Sequence, residues 1–115
     1  NNEIIKVIDK ILDENEESII IIQSDHGSGF NIDWNNPDES MILQRLSILN
    51  AYYVPEISED QLYENITPVN SFRVIFNNYF NGNYEILEDQ NYWNDIYKPY
   101  DFHDVTKIVS MNFNK

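Results

Sequence analysis

The chain has no cysteine, only three glycines, and seven basic residues among its 115. Without cysteine there is neither a disulfide nor a thiolate, so cysteine nucleophiles and thiolate-ligated metal centres are excluded. Seven Lys and Arg against 20 Asp and Glu leave a net charge of −13. That balance argues against binding a nucleic-acid backbone, because phosphate contacts are carried by cationic side chains. No apolar run approaches the ~20 residues that a membrane-spanning helix needs. What is present is 42% hydrophobic residues, with eight tyrosines, six phenylalanines and two tryptophans. This is enough apolar surface for a real core, and it excludes wholesale disorder. The length suits one domain or a piece of a larger one. The densest acidic run is Asp13-Glu14-Asn15-Glu16-Glu17, and the other acids are scattered. A solvated acidic surface explains them most simply; a self-contained acidic α/β module that grips a basic partner without catalysis is the alternative.

The chain is organised around Ser18-Ile19-Ile20-Ile21-Ile22-Gln23-Ser24-Asp25-His26-Gly27-Ser28-Gly29. Four successive isoleucines suit a strand buried on both faces, as in the middle of a parallel sheet. The run ends abruptly in a polar tip, and ligands bind at the carboxyl ends of strands in open α/β sheets. Asp25 and His26 together offer a divalent metal one carboxylate oxygen and one ring nitrogen. Gly27 and Gly29 are read as giving the turn conformations closed to other residues, and as leaving room for a substrate.

Before this stretch, Ile4, Ile5, Ile8, Ile11 and Leu12 have helical spacing, which predicts an amphipathic helix over 3–14. Helix, loop and buried strand are half of an α/β unit, so the chain is expected to begin inside a fold whose preceding strand lies before Asn1. Phe30 to Ser40 reads as a surface loop, with Trp34 more readily packed than covering a substrate. Met41 to Leu46 is open between helix and strand. Ser47 to Val54 reads as a second strand ended by Pro55, and Glu56 to Asn65 as an acidic loop. Thr67-Pro68 opens a helix with a hydroxyl cap and proline in the first turn, and Asn81-Gly82-Asn83 stops it. Tyr84 to Leu87 reads as a short strand, Gln90 to Asp104 as irregular, and Val105 to Phe113 as a final strand.

The strand ending in Ser24-Asp25-His26-Gly27, with Gly29 two residues on, resembles the metal-binding turn of the alkaline phosphatase superfamily. The closer similarity is to its sulfatase-like branch, which includes lipoteichoic acid synthases and other phosphoglycerol transferases. The blocks Arg45 to Pro55, Leu62 to Arg73 and Leu87-Glu88-Asp89 look like the carboxyl-terminal part of membrane-associated sulfatase-like proteins. The resemblance covers roughly residues 18–89. It implies a mostly parallel sheet flanked by helices, incomplete as a fold here, with 1–115 forming the carboxyl-terminal portion of one catalytic domain. It implies Asp25 and His26 as metal ligands, and a threonine or serine nucleophile in segments upstream of these residues. Thr67 and Thr106, the only threonines, do not stand in the family's nucleophile context. The expected activity of the parent protein is metal-dependent hydrolysis or transfer of a phosphate or sulfate ester, with this fragment inactive alone. The resemblance also implies a membrane-anchored parent whose catalytic domain is extracytoplasmic. One carboxylate and one imidazole suit Zn²⁺ or Mn²⁺ better than Mg²⁺, while sulfatases proper use Ca²⁺. The expected partners are the remainder of the catalytic domain, the ester substrate, and a second copy reached through an exposed sheet edge.

Other candidates have plainer readings. Ser24 and Ser28 read as turn formers, since no second histidine or acid is placed to activate them. Arg45 and Arg73 are the only arginines and suit bidentate contact with phosphate or sulfate, but Arg73, in a helix, reads as an internal salt bridge. His103 reads as a non-ligand, and the aromatics around Tyr52 and Phe72 as core. Asn65-Ile66-Thr67 matches a glycosylation acceptor, with the helix start against its use.

Overall fold

The computed structural model describes the backbone of residues 2–113 and the side chains of residues 2–111. In chain order the elements are α1 (Asn2–Glu14), β1 (Ile20–Gln23), α2 (Glu39–Leu46), β2 (Asn50–Tyr53) and a 3₁₀ turn (Glu59–Gln61). After these come α3 (Pro68–Tyr79), β3 (Tyr92–Trp93), β4 (His103–Asp104) and α4 (Thr106–Phe113).

The isoleucine run does form a strand, because successive β-branched side chains favour extended backbone. The expectation of a mostly parallel, helix-flanked sheet is nevertheless overturned. β1 pairs only with β2, antiparallel, with Ile20 opposite Tyr53 and Gln23 opposite Asn50. β3 and β4 form a second antiparallel pair, Tyr92 opposite Asp104. Nor is β1 buried on both faces: all four of its residues are half-buried. The excursion between the strands explains the direction. The Ser24 amide donates to Leu49 O (2.9 Å) and the Gly27 amide to Arg45 O (2.7 Å), so the chain returns at the end of β1 it left. A parallel partner would need a crossover to the other end of the strand.

α2 settles the segment left open. Its cap is Asp38, whose Oδ1 accepts from the Met41 amide at 2.8 Å and from the Ser40 hydroxyl. These bonds hold the Asp38 carboxyl below its ordinary pKa. The proposed final strand is instead α4. Asp104 Oδ1 accepts from the Thr106 amide (2.9 Å), and the hydroxyl of Thr106 accepts from the Asn91 amide (2.8 Å). These bonds start a helical turn that overrides the β-branched character of Val105, Thr106, Ile108 and Val109. α4 packs near α2, where Ile42, Trp93 and Val105 form a small buried cluster with Ile32, Trp34, Leu46 and Ile108 against it.

α3 begins where Thr67-Pro68 places it, but the cap is not the threonine hydroxyl. Thr67 makes no side-chain cap bond; its amide (2.8 Å) and hydroxyl (2.6 Å) both donate to Asp89 Oδ1. The predicted strand at Tyr84 to Leu87 is no strand. It is an extended segment laddered along α3 by side chains. The Asn77 amide group donates to Tyr84 O and accepts from Tyr84 N, both at 2.8 Å. Fully buried Asn70 does the same with Leu87, at 2.8 and 3.0 Å. Asn81, at φ 51°, takes the left-handed position that ends the helix, beside Gly82.

The aromatics of α3 are not core. Phe72, Phe76 and Phe80 are exposed in a row with Tyr84, their centroids about 6 Å apart, and α3 buries Asn70, Ser71, Val74 and Ile75 instead. Tyr52 is half-buried and ties β2 to α3 through the Ser71 hydroxyl (2.5 Å). α1 has the predicted amphipathic pattern but buries no residue, leaving Ile4, Ile5, Val7 and Ile11 exposed. Among the described residues, no helix is long and apolar enough to cross a membrane.

Candidate functional site

The polar tip of β1 is pinned by main-chain chemistry. The Ser24 hydroxyl accepts from the Leu49 amide at 2.9 Å, and the Ser28 hydroxyl from the Phe30 amide at 3.2 Å, so both serines hold the turn. Gly27 and Arg45 exchange two bonds: Gly27 N–H to Arg45 O, and Arg45 Nη1 to Gly27 O at 3.1 Å. The requirement for glycine at 27 is one of space. No glycine has positive φ. A Cβ at Gly27 would stand 2.2 Å from Gln44 O and 2.6 Å from Ser47 O, well inside contact distance with backbone that cannot swing away. Gly29 is less demanding, because a Cβ there would meet Trp34 and Arg45 at ordinary contact distances.

Asp25 and His26 are brought together. His26 Nε2 lies 3.5 Å from Asp25 Oδ2, with the aspartate side chain 86% and the histidine 48% exposed. His26 Nδ1 is 2.8 Å from Gly27 O. A carbonyl oxygen can only accept, so Nδ1 carries a hydrogen in this contact, and Nε2 is the ring nitrogen turned toward Asp25 Oδ2. A backbone carbonyl holding the far nitrogen is the usual way a ligating histidine is oriented. The pair offers a divalent ion one oxygen and one nitrogen 3.5 Å apart. Among the described residues, no third His, Cys, Asp or Glu joins them.

Both side chains line a cleft of about 280 Å³, walled by Trp34, Arg45, Trp93 and Ile96. Trp34 stacks on Trp93 (5.6 Å between centroids, 21° between planes), and the Arg45 guanidinium sits over Trp34 at 5.3 Å. Trp34 is half-buried, packed on the core as well as forming the wall. Arg73 is elsewhere. Its Nη1 donates to Glu85 O at 3.0 Å, and its buried Nε has no partner. The expected salt bridge is thus replaced by a carbonyl, as the extended segment presents backbone, not a carboxylate, to that face of α3. His103 lies 3.8 Å from Asp101 Oδ2 and lines a different cleft, of about 290 Å³, on another side of the tryptophan pair.

The cluster sequence reasoning missed is centred on Asp89. Its carboxylate accepts from the Thr67 amide and hydroxyl, from Asn70 (2.9 Å) and from the Tyr63 hydroxyl. Burial pushes this carboxyl up, but the bonds from Thr67, Tyr63 and Asn70 outweigh it and hold the pKa below the ordinary value. Burial, together with the neighbouring carboxylate, pushes the Tyr63 hydroxyl up. Every polar group here is matched within the cluster, which suits a structural clasp. No spacing in the sequence announces it, because 22 residues separate Thr67 from Asp89. No protein-family model, no curated protein and no solved structure matches this chain.

Proposed function

We propose that the Asp25–His26 turn supplies two ligands to a divalent metal site that acts on phosphate or sulfate esters, as hydrolase or phosphotransferase. The observation that carries this reading is the Nδ1–Gly27 O bond, which leaves His26 Nε2 free beside Asp25 Oδ2. The resemblance of the turn to the sulfatase-like proteins supports it. The antiparallel β1–β2 pair removes the parallel-sheet architecture from this reading, but leaves the local turn chemistry intact.

Asp25 would bring a negative oxygen and His26 a neutral nitrogen, a mixed set that favours Mn²⁺ or Zn²⁺ over Mg²⁺, with Ca²⁺ the alternative. When bound, such an ion lowers the pKa of a nucleophilic hydroxyl and offsets charge building on the transferring group. This chain's own residues orient the imidazole through Gly27 O and hold the turn against α2. The remaining ligands and the nucleophile would come from segments other than residues 1–115, the rest of the parent catalytic domain.

Calorimetric titration of Mn²⁺, Zn²⁺ and Ca²⁺ into the chain and into Asp25→Ala/His26→Ala tests this. The expected outcome is weak binding by the wild type and at least about tenfold weaker binding by the variant. Equal binding by both would assign the signal to the scattered surface acids and overturn the site.

A further inference from the structure

We infer that Arg45 is the anion-anchoring residue of the Asp25–His26 cleft, and that the cleft takes a phosphate or sulfate ester carrying an apolar organic group. This deepens, and rests on, the metal-site reading above. In a chain with 20 acids and seven bases, a half-buried arginine is expected to find a carboxylate. Arg45 does not: among the described residues its partners are the Gly27 carbonyl and the face of Trp34, and no acid lies within ion-pair distance. One Nη donor is committed to Gly27 O, so the guanidinium retains donors for a tetrahedral oxyanion.

Its position is set by the same oxygen that orients the imidazole. Gly27 O accepts from both His26 Nδ1 (2.8 Å) and Arg45 Nη1 (3.1 Å), so the guanidinium and the candidate ligand ring converge on one carbonyl. The guanidinium also lies over the Trp34 ring, 5.3 Å from its centroid, a cation–π contact that helps to fix it in place. An oxyanion on Arg45 would therefore lie in the cleft that Asp25 and His26 line. The other walls are Leu46, Ile48, Trp93 and Ile96 together with Tyr92 and Asn94, uncharged and mostly apolar, and they fit the organic part of an ester rather than a second charge. Without a metal, exposed Asp25 repels such an anion, which makes the electrostatic sign of each variant distinct.

The only two tryptophans of the chain, Trp34 and Trp93, wall this cleft and the His103 cleft alike, so their emission responds to occupancy and the dependence on Arg45 and Asp25 assigns the signal to this one. The experiment titrates inorganic phosphate, sulfate, methyl phosphate and hexyl phosphate at constant ionic strength, with circular dichroism to verify each variant's fold. The expected result is saturable binding of phosphate and sulfate by the wild type. Affinity should fall at least about tenfold in Arg45→Gln, fall less in Arg45→Lys, and rise severalfold in Asp25→Asn. Hexyl phosphate should bind about tenfold more tightly than methyl phosphate, because its chain is removed from water. A folded Arg45→Gln that binds phosphate like the wild type overturns the assignment, as does the absence of saturable binding by Asp25→Asn. Equal affinity for the two alkyl esters overturns the apolar wall as the ester's seat. Mn²⁺ in the wild type separates the two readings. If binding depends on Arg45 but Mn²⁺ does not strengthen it, the metal site fails and the anchor stands. If Mn²⁺ strengthens phosphate binding and Arg45→Gln binds as tightly as the wild type both with and without it, the metal site stands and the anchor fails.

Discussion

A single carboxylate does more for this fold than any acid in the conspicuous run at 13–17. Asp89 takes bonds from three residues, two of them in or at the start of α3 and one in the loop before it. Truncation to alanine strands the Thr67 amide and hydroxyl and one Asn70 donor, and should cost about 2–3 kcal/mol, measured by chemical denaturation. The folded pKa of Asp89 lies below its unfolded value. Its contribution is therefore complete above about pH 4 and is lost as the pH falls through the folded value. The difference in stability between wild type and Asp89→Asn should shrink as pH falls from 6 to 3. A constant difference would show that the carboxylate's charge contributes nothing. Tyr63 has the opposite sense: its raised pKa favours the folded state below about pH 10, and that contribution is lost as the pH rises through the folded value. The residue that governs the candidate site is different in kind. Gly27 is needed because carbonyls from the end of α2 occupy the place of its Cβ.

At the scale of elements, the most informative feature is a helix that recruits a neighbouring segment through asparagines. Asn70 and Asn77 lie seven residues apart, two turns on one face of α3, and each mimics a peptide unit by donating and accepting at once. They supply the backbone of 84–87 with the partners a strand would have found in a sheet. Hydrogen exchange should find the Tyr84 amide protected in the wild type and much less so in Asn77→Ala, while the Leu87 amide, held by Asn70, keeps its protection. Loss of protection at both would show that the segment releases as a unit. α1 stands at the other extreme. Thirteen residues with no buried side chain form a helix that is marginal in isolation. Its apolar stripe was legible in the sequence, but not the partner, because periodicity marks a face without saying what covers it.

The whole molecule is open. Its radius of gyration is 16.7 Å, against about 13 Å for a compact chain of this length. The outer edge of β1 is unpaired among the described residues, and the α3 aromatic row and the α1 stripe are exposed. Apolar surface of this extent favours association, and the charge of −13 opposes it at long range. The balance is set by salt, which screens the repulsion and leaves apolar contact intact. Sedimentation velocity should therefore show a mainly monomeric chain at low ionic strength and growing association as salt is raised to about 0.5 M. Dissociation on adding salt would mean that ion pairs, not apolar faces and strand edges, hold the copies together.

Local conformation follows from the residues alone wherever side-chain chemistry acts within a few positions. The isoleucine run is extended, 3–14 is an amphipathic helix, Thr67-Pro68 opens α3, and the turn at 24–27 sets Asp25 beside His26. Which strands meet, and in what direction, depends on long-range contacts, since a run of isoleucines specifies extension but not the polarity of its neighbour. Tertiary folding also makes Val105 to Phe113 coil, because Asp104 and Asn91 supply bonds that propensity cannot anticipate. And it set Arg45, eighteen residues from Gly27 along the chain, on the oxygen that orients His26. Such contacts depend on the path of the intervening chain, and no spacing rule encodes that path.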